Sequence, residues 1–169
     1  MISHCTTRRS LLGAAFSLSA ASAATPKWID LFDGRSLNGW TPSENKNSWK
    51  VVDGVLFADG PRSHLFYSGP NADLKNFELE FEAMAAPAAN SGLYFHTNYQ
   101  GKGFPDKGFE VQVNNTAGGE GNYRERKKTG SLYGVRNVYK QIVADNTWFT
   151  ANVLVRGKNV QIRIDGMLV

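Results

Sequence analysis

The chain has 169 residues, 41% hydrophobic and 20% charged, with a formal net charge of +4. This length suits one globular domain, the balance excludes a disordered or fibrous chain, and the charge is too small to demand a nucleic-acid partner. Seventeen glycines and 12% aromatic residues favour strands joined by tight turns.

Residues 1–23 read as an export signal. Thr7-Arg8-Arg9-Ser10-Leu11-Leu12 is a twin-arginine stretch, Leu11 to Leu18 a short apolar segment, and Ala21-Ser22-Ala23 a small-residue cleavage site. The apolar run is too short to span a bilayer. Passage through the twin-arginine export machinery to the periplasm or exterior is expected, with no stable membrane insertion. Cleavage near Ala23 would remove Cys5, the chain's single cysteine, and leave a cysteine-free domain, 24–169, with His64 and His96.

Strands then follow one another. Trp28 to Phe32 is expected to be a short strand closed by Asp33-Gly34. Asp53-Gly54 joins 49–52 to 55–57, since a two-residue hairpin turn favours Asp-Gly. His64 to Ser68 is a further short strand. In 77–84, Phe77, Leu79, Phe81 and Ala83 alternate with Glu78, Glu80 and Glu82, the period of a half-buried strand. Gly92 to Thr97 and Phe109 to Asn114 are read as strands, 115–130 as a long solvated loop, and Ser131 to Val135 as a short strand. Alternation returns over 149–155 and 160–164. Asp165-Gly166 turns into Met167-Leu168-Val169, the start of a returning strand, so an incomplete C-terminus is expected. The pattern is that of an all-β sandwich or jelly roll.

Strand periodicity also selects the candidate site. With Leu93, Phe95, Phe109, Val111 and Val113 facing inward, Tyr94, His96, Glu110, Gln112 and Asn114 share the opposite, solvent-facing surface. Hydrogen-bonding side chains beside an aromatic ring suit sugar recognition, although ordinary solvent-facing sheet residues look the same. A conventional glycosidase needs two carboxylates, and Glu110 is alone on its strand. The row Glu78, Glu80, Glu82 and the run Arg124, Arg126, Lys127, Lys128 read as solvated charge. His64, beside Leu65 and Phe66, reads as a structural or surface residue.

Six stretches, in order and spacing, resemble the 3-keto-disaccharide hydrolase domain family. They are Leu31-Phe32-Asp33-Gly34-Arg35-Ser36-Leu37-Asn38-Gly39-Trp40, Trp49-Lys50-Val51-Val52-Asp53-Gly54-Val55-Leu56, Phe77-Glu78-Leu79-Glu80-Phe81-Glu82, Asn90-Ser91-Gly92-Leu93-Tyr94-Phe95-His96, Gly108-Phe109-Glu110-Val111-Gln112-Val113-Asn114 and Thr129-Gly130-Ser131-Leu132-Tyr133.

The resemblance implies a concanavalin A-like jelly-roll β-sandwich, truncated at its C-terminus relative to the family's usual extent. It implies cleavage of glycosidic bonds in sugars already oxidised at C3, by base-catalysed β-elimination and hydration, which needs one base rather than a carboxylate pair. His96 or Glu110 is the expected base. Tyr94, Gln112 and Asn114 would orient hydroxyls or the enolate, and Asn90, Ser91 and Tyr133 are further motif residues expected near substrate. His96 stands where family members often carry Arg. A divalent cation is an open expectation, with Glu110, His96 and Asn114 as candidate ligands. The alternative reading is a non-catalytic carbohydrate-binding module of the same fold.

Overall fold

The structure is a computed structural model that describes residues 3–6, 28–118 and 121–169. The described strands are β1 (Ser3–Thr6), β2 (Trp40–Pro42), β3 (Trp49–Val52), β4 (Val55–Ala58), β5 (Leu65–Tyr67), β6 (Phe77–Ala85), β7 (Ser91–Phe95), β8 (Phe109–Val113), β9 (Phe149–Arg156), β10 (Asn159–Ile164) and β11 (Met167–Leu168). They form an antiparallel seven-stranded sheet in the order β11-β10-β9-β6-β1-β4-β3 and two pairs, β2-β5 and β7-β8. No described helix is long and apolar enough to cross a membrane. Most of the expected export signal lies outside the described residues; of it, Ser3–Thr6 pair with β4 and β6.

Alternation in sequence becomes a two-layer core. Phe81, Ala83 and Ala85 of β6, the odd residues 149–155 of β9, and Ile162 and Ile164 of β10 bury one face of the large sheet. Phe95, Val111 and Val113 of the β7–β8 pair pack into the same cluster. Two apolar sheet faces closing on each other give the β-sandwich. Asp53-Gly54 and Asp165-Gly166 adopt the positive φ angles that a two-residue hairpin requires, 48° and 80°, and 48° and 79°.

Two expected elements differ, and one strand was not expected. Residues 28–32 are irregular, because Asp33 ends the segment in a side-chain-capped turn: its Oδ1 accepts from the amides of Arg35 and Ser36, both at 2.8 Å. In 131–135 there is no strand. Leu132 bridges both Val111 and Arg136, and the chain doubles back on itself. A short strand at Trp40–Pro42, which alternation did not reveal, is held by the edge-on ring contact of Trp40 with Tyr67.

The long loop is not solvated throughout. Residues 129–133 run along the free edge of β8: the Gln112 amide donates to Ser131 O, the Gly130 amide to Gln112 O and the Tyr133 amide to Glu110 O. An edge strand that would present unpaired backbone is thereby covered. Glu125, Thr129 and Ser131 are buried beneath this wrap.

Candidate active site

A cavity of about 2090 Å³ opens beside the β7–β8 pair. Glu110 and Tyr94 face it from directly opposed positions of the ladder. The Tyr94 hydroxyl donates to Glu110 Oε2 at 3.0 Å. Burial pushes the Glu110 carboxyl up to about 7, against the opposing pull of that hydrogen bond, with the Glu125 charge adding to the rise. Burial and the neighbouring carboxylate hold the Tyr94 phenol above its usual range, so it stays a neutral donor.

Gly92 makes room for this carboxyl. It lies on the same face, two ladder positions from Tyr94, and a Cβ there would collide with Glu110 Oε1 and stand 2.9 Å from Cδ. The glycine of the Asn-Ser-Gly stretch is therefore a steric requirement of the carboxyl's position.

The expected surface does not assemble as periodicity suggests. Gln112 and Asn114 are 1% and 0% exposed, because the 115–133 segment covers their side of β8. Asn114 is a structural anchor. Its Nδ2 donates to the carbonyls of Glu125 and Lys127, each at 2.8 Å, and its Oδ1 accepts from the Gly118 amide. Gln112 Nε2 donates to Asn90 Oδ1 at 2.6 Å, so Gln112 bears on the cavity through Asn90, which lines it with Ser91.

His96 also departs from its expected place. The strand ends at Phe95, and His96 takes a left-handed φ of 53°, which breaks the alternation. It borders the cavity, but its Nε2 sits 3.0 Å from Lys75 O and its ring lies edge-on to Phe77 and Phe95. Glu110, His96 and Asn114 thus do not converge as a donor set for a cation. Among the described residues no cluster of three His, Cys, Asp or Glu side chains could hold one.

The histidine that accompanies Tyr94 is His64. Their rings meet edge-on at 5.9 Å, and Phe104 approaches the His64 ring at 5.6 Å. Burial, assisted by Arg62, lowers the His64 pKa, which favours the neutral ring. The sequence reading of His64 as a structural or surface residue missed that its neighbours Leu65, Phe66 and Tyr67 line the cavity with it.

Tyr133 meets a buried acid rather than Glu110. Glu125 is 2% exposed and accepts from the hydroxyls of Tyr123 and Tyr133 and from the Lys127 amide and ammonium. Burial raises its pKa, but these donors prevail and hold it at about 2. The Lys127 ammonium also sits 4.1 Å from the Tyr133 ring centroid.

Over residues 27–169 the chain matches the 3-keto-alpha-glucoside-1,2-lyase-like domain. The chain belongs to this family. A 3-keto-disaccharide hydrolase from Bacteroides thetaiotaomicron is 31% identical over 77 residues, an alignment that takes in 40% of this chain and 27% of that protein. Two crystal structures of candidate glycosyl hydrolases from Parabacteroides distasonis share the fold. One has a TM-score of 0.69 at 23% identity, covering 83% of this chain and 69% of that one. The other has 0.60 at 21%, covering 77% and 70%. The family resemblance and the sandwich expected from the sequence both hold.

Proposed function

We propose that this domain cleaves the glycosidic bond of 3-keto-glycosides by β-elimination, with Glu110 as the base. The observation that carries the reading is the Glu110 carboxyl itself: half-buried on a cavity wall, hydrogen-bonded to Tyr94, and poised at about 7. A base with that pKa can be ionised near neutrality and still accept a proton readily. Family membership and the names of the relatives support a carbohydrate substrate.

The C3 ketone makes the C2 proton acidic. Glu110 takes that proton, and the C2–H electron pair delocalises onto the ketone oxygen as an enolate. The enolate then expels the aglycone from C1. The C1–O bond breaks, its electron pair leaves on the aglycone oxygen, and that oxygen takes up the proton that Glu110 has just received, which restores the base. A C1–C2 unsaturated ketone remains, and water added across it gives net hydrolysis. Once Glu110 is protonated, the Tyr94 hydroxyl is free to turn toward the enolate oxygen, a neutral donor aimed where negative charge develops. Asn90, held by Gln112, is suited to orient a sugar hydroxyl. No step needs a second carboxylate.

Residues 1–23 support delivery by twin-arginine export, which carries folded domains. Cleavage at Ala23 would take β1 with it and open the edges of β4 and β6.

The test is aglycone release from a 3-keto-glucoside and from the parent glucoside, with wild type and Glu110→Gln. Release from the keto sugar alone, lost in the variant, is the expected result. Binding of a glycan without release by folded protein would instead favour a carbohydrate-binding module.

A further inference from the structure

The buried acid Glu125 takes no part in the elimination, yet four donors converge on it. Its Oε2 accepts from the hydroxyls of Tyr123 and Tyr133, and its Oε1 accepts from the Lys127 amide at 2.8 Å and the Lys127 ammonium at 3.3 Å. Tyr133 ties this cluster to the base, since its amide donates to Glu110 O at 2.9 Å. Tyr123 ties it to the cavity: the residue is exposed and lines the same space as Glu110. Its backbone is held too, with Arg124 Nη1 donating to the carbonyls of Gly121 and Tyr123, each at 2.9 Å. A phenol has one hydrogen to give and lone pairs with which to accept. Glu125 takes the hydrogens of both tyrosines, so the polar end that Tyr123 offers a cavity ligand is an acceptor only. Donation to a carboxylate also strengthens that acceptor. Tyr94 is the opposite case. Its partner Glu110 gains a proton during the reaction and releases the phenol hydrogen, whereas the donors around Glu125 keep it ionised.

We propose that Tyr123, with Glu125 as its positioning residue, accepts a hydrogen bond from a hydroxyl of the keto sugar and so fixes which way round that sugar lies. This role rests on the elimination proposed above. A hydroxyl has a hydrogen to offer Tyr123. A ketone has none, and two acceptors set face to face stay unpaired and repel. The ketone is therefore turned away from Tyr123 and toward Tyr94, the one phenol of the pair whose hydrogen is released when Glu110 takes the C2 proton. The same orientation brings C2 to Glu110. With C1 carrying the leaving group, C2 at the base and C3 at Tyr94, the hydroxyls left for Tyr123 are those at C4 and C6.

The experiment measures kcat/KM for methyl 3-keto-glucoside and its 4-deoxy and 6-deoxy analogues with wild type, Tyr123→Phe and Glu125→Gln, and melting curves follow the folding of each variant. Wild type should turn over one of the two deoxy analogues about tenfold less efficiently than the parent. Tyr123→Phe should lose about tenfold on the parent and handle the parent and that analogue within about twofold of each other, because one hydrogen bond is not lost twice. Glu125→Gln, whose amide can donate to a phenol, should erase the discrimination in the same way. A tyrosine that only anchored its loop would lower all three substrates alike and leave the discrimination in place. Wild type indifferent to both deoxy analogues, or discrimination that survives in Tyr123→Phe, overturns the proposal, and this pair decides it should Glu125→Gln fail to fold. Discrimination that survives in folded Glu125→Gln removes Glu125 from the role. If no 3-keto-glycoside is cleaved, the elimination reading fails instead. Calorimetric binding of methyl glucoside and its 4-deoxy and 6-deoxy analogues to wild type and Tyr123→Phe then decides whether Tyr123 accepts from a sugar hydroxyl.

Discussion

Tyr94 and Glu110 sit directly opposite each other on β7 and β8, and the phenol donates to the carboxyl at 3.0 Å. This contact opposes burial, so Tyr94→Phe should raise the Glu110 pKa further. The acid limb of kcat/KM should move upward by about 0.5–1 pH unit, and the plateau at higher pH should stay below wild type because the donor to the enolate is lost as well. A pH–rate profile of both proteins checks this; an unmoved limb would separate Tyr94 from the base.

Glu110→Gln should lower kcat/KM by about a hundred- to ten-thousand-fold. It should also stabilise the fold in alkali. A carboxyl whose pKa rises from 4.5 to about 7 on folding favours the folded state below pH 4.5, and that contribution is lost as pH climbs through 7. At pH 8 the variant should therefore be more stable, by roughly 2 kcal/mol, and equal to wild type near pH 4. Denaturant titrations at the two pH values measure the difference.

Gly92→Ala should displace the Glu110 carboxyl while leaving the fold in place, because the clash is with a side chain and not with backbone. Turnover should fall at least about thirtyfold, with Tm within about 3 °C of wild type. A fully active alanine variant would show that the carboxyl's position does not matter.

Asn114→Ala removes three buried hydrogen bonds that anchor the 115–130 loop. It should cost about 2–4 kcal/mol of stability, whereas turnover per folded molecule should change less than about threefold. A variant of normal stability and lost activity would return Asn114 to the substrate.

The two histidines should reverse the order their sequence contexts suggest. His96→Ala should keep activity within about threefold, and His64→Ala should lower kcat/KM at least about tenfold through the cavity wall it shares with Tyr94 and Phe104. Steady-state kinetics on both variants decides it.

Much of the fold was legible because alternation depends on local pleat geometry. Phe77 to Ala85, the odd residues of β9 and the Asp-Gly hairpins all follow from it. Glu110 and Tyr94 were legible for the same reason. The burial of Gln112 and Asn114 was not, since it comes from a loop that returns from 129–133 to cover β8, a pairing no local pattern encodes. His96 misled because one left-handed residue at a strand end reverses the direction of everything after it. His64 was overlooked because apolar neighbours read alike whether they fill a core or line a cavity.

The most direct measurement is aglycone release from 4-nitrophenyl 3-keto-glucoside, with hydrogen or deuterium at C2, against pH. The account predicts turnover of the keto sugar but not of the parent glucoside. It also predicts slower release from the C2-deuterated substrate and an acid limb near pH 7 that Glu110→Gln abolishes. Release from the unoxidised glucoside, or a rate indifferent to both C2 deuteration and Glu110, would contradict it.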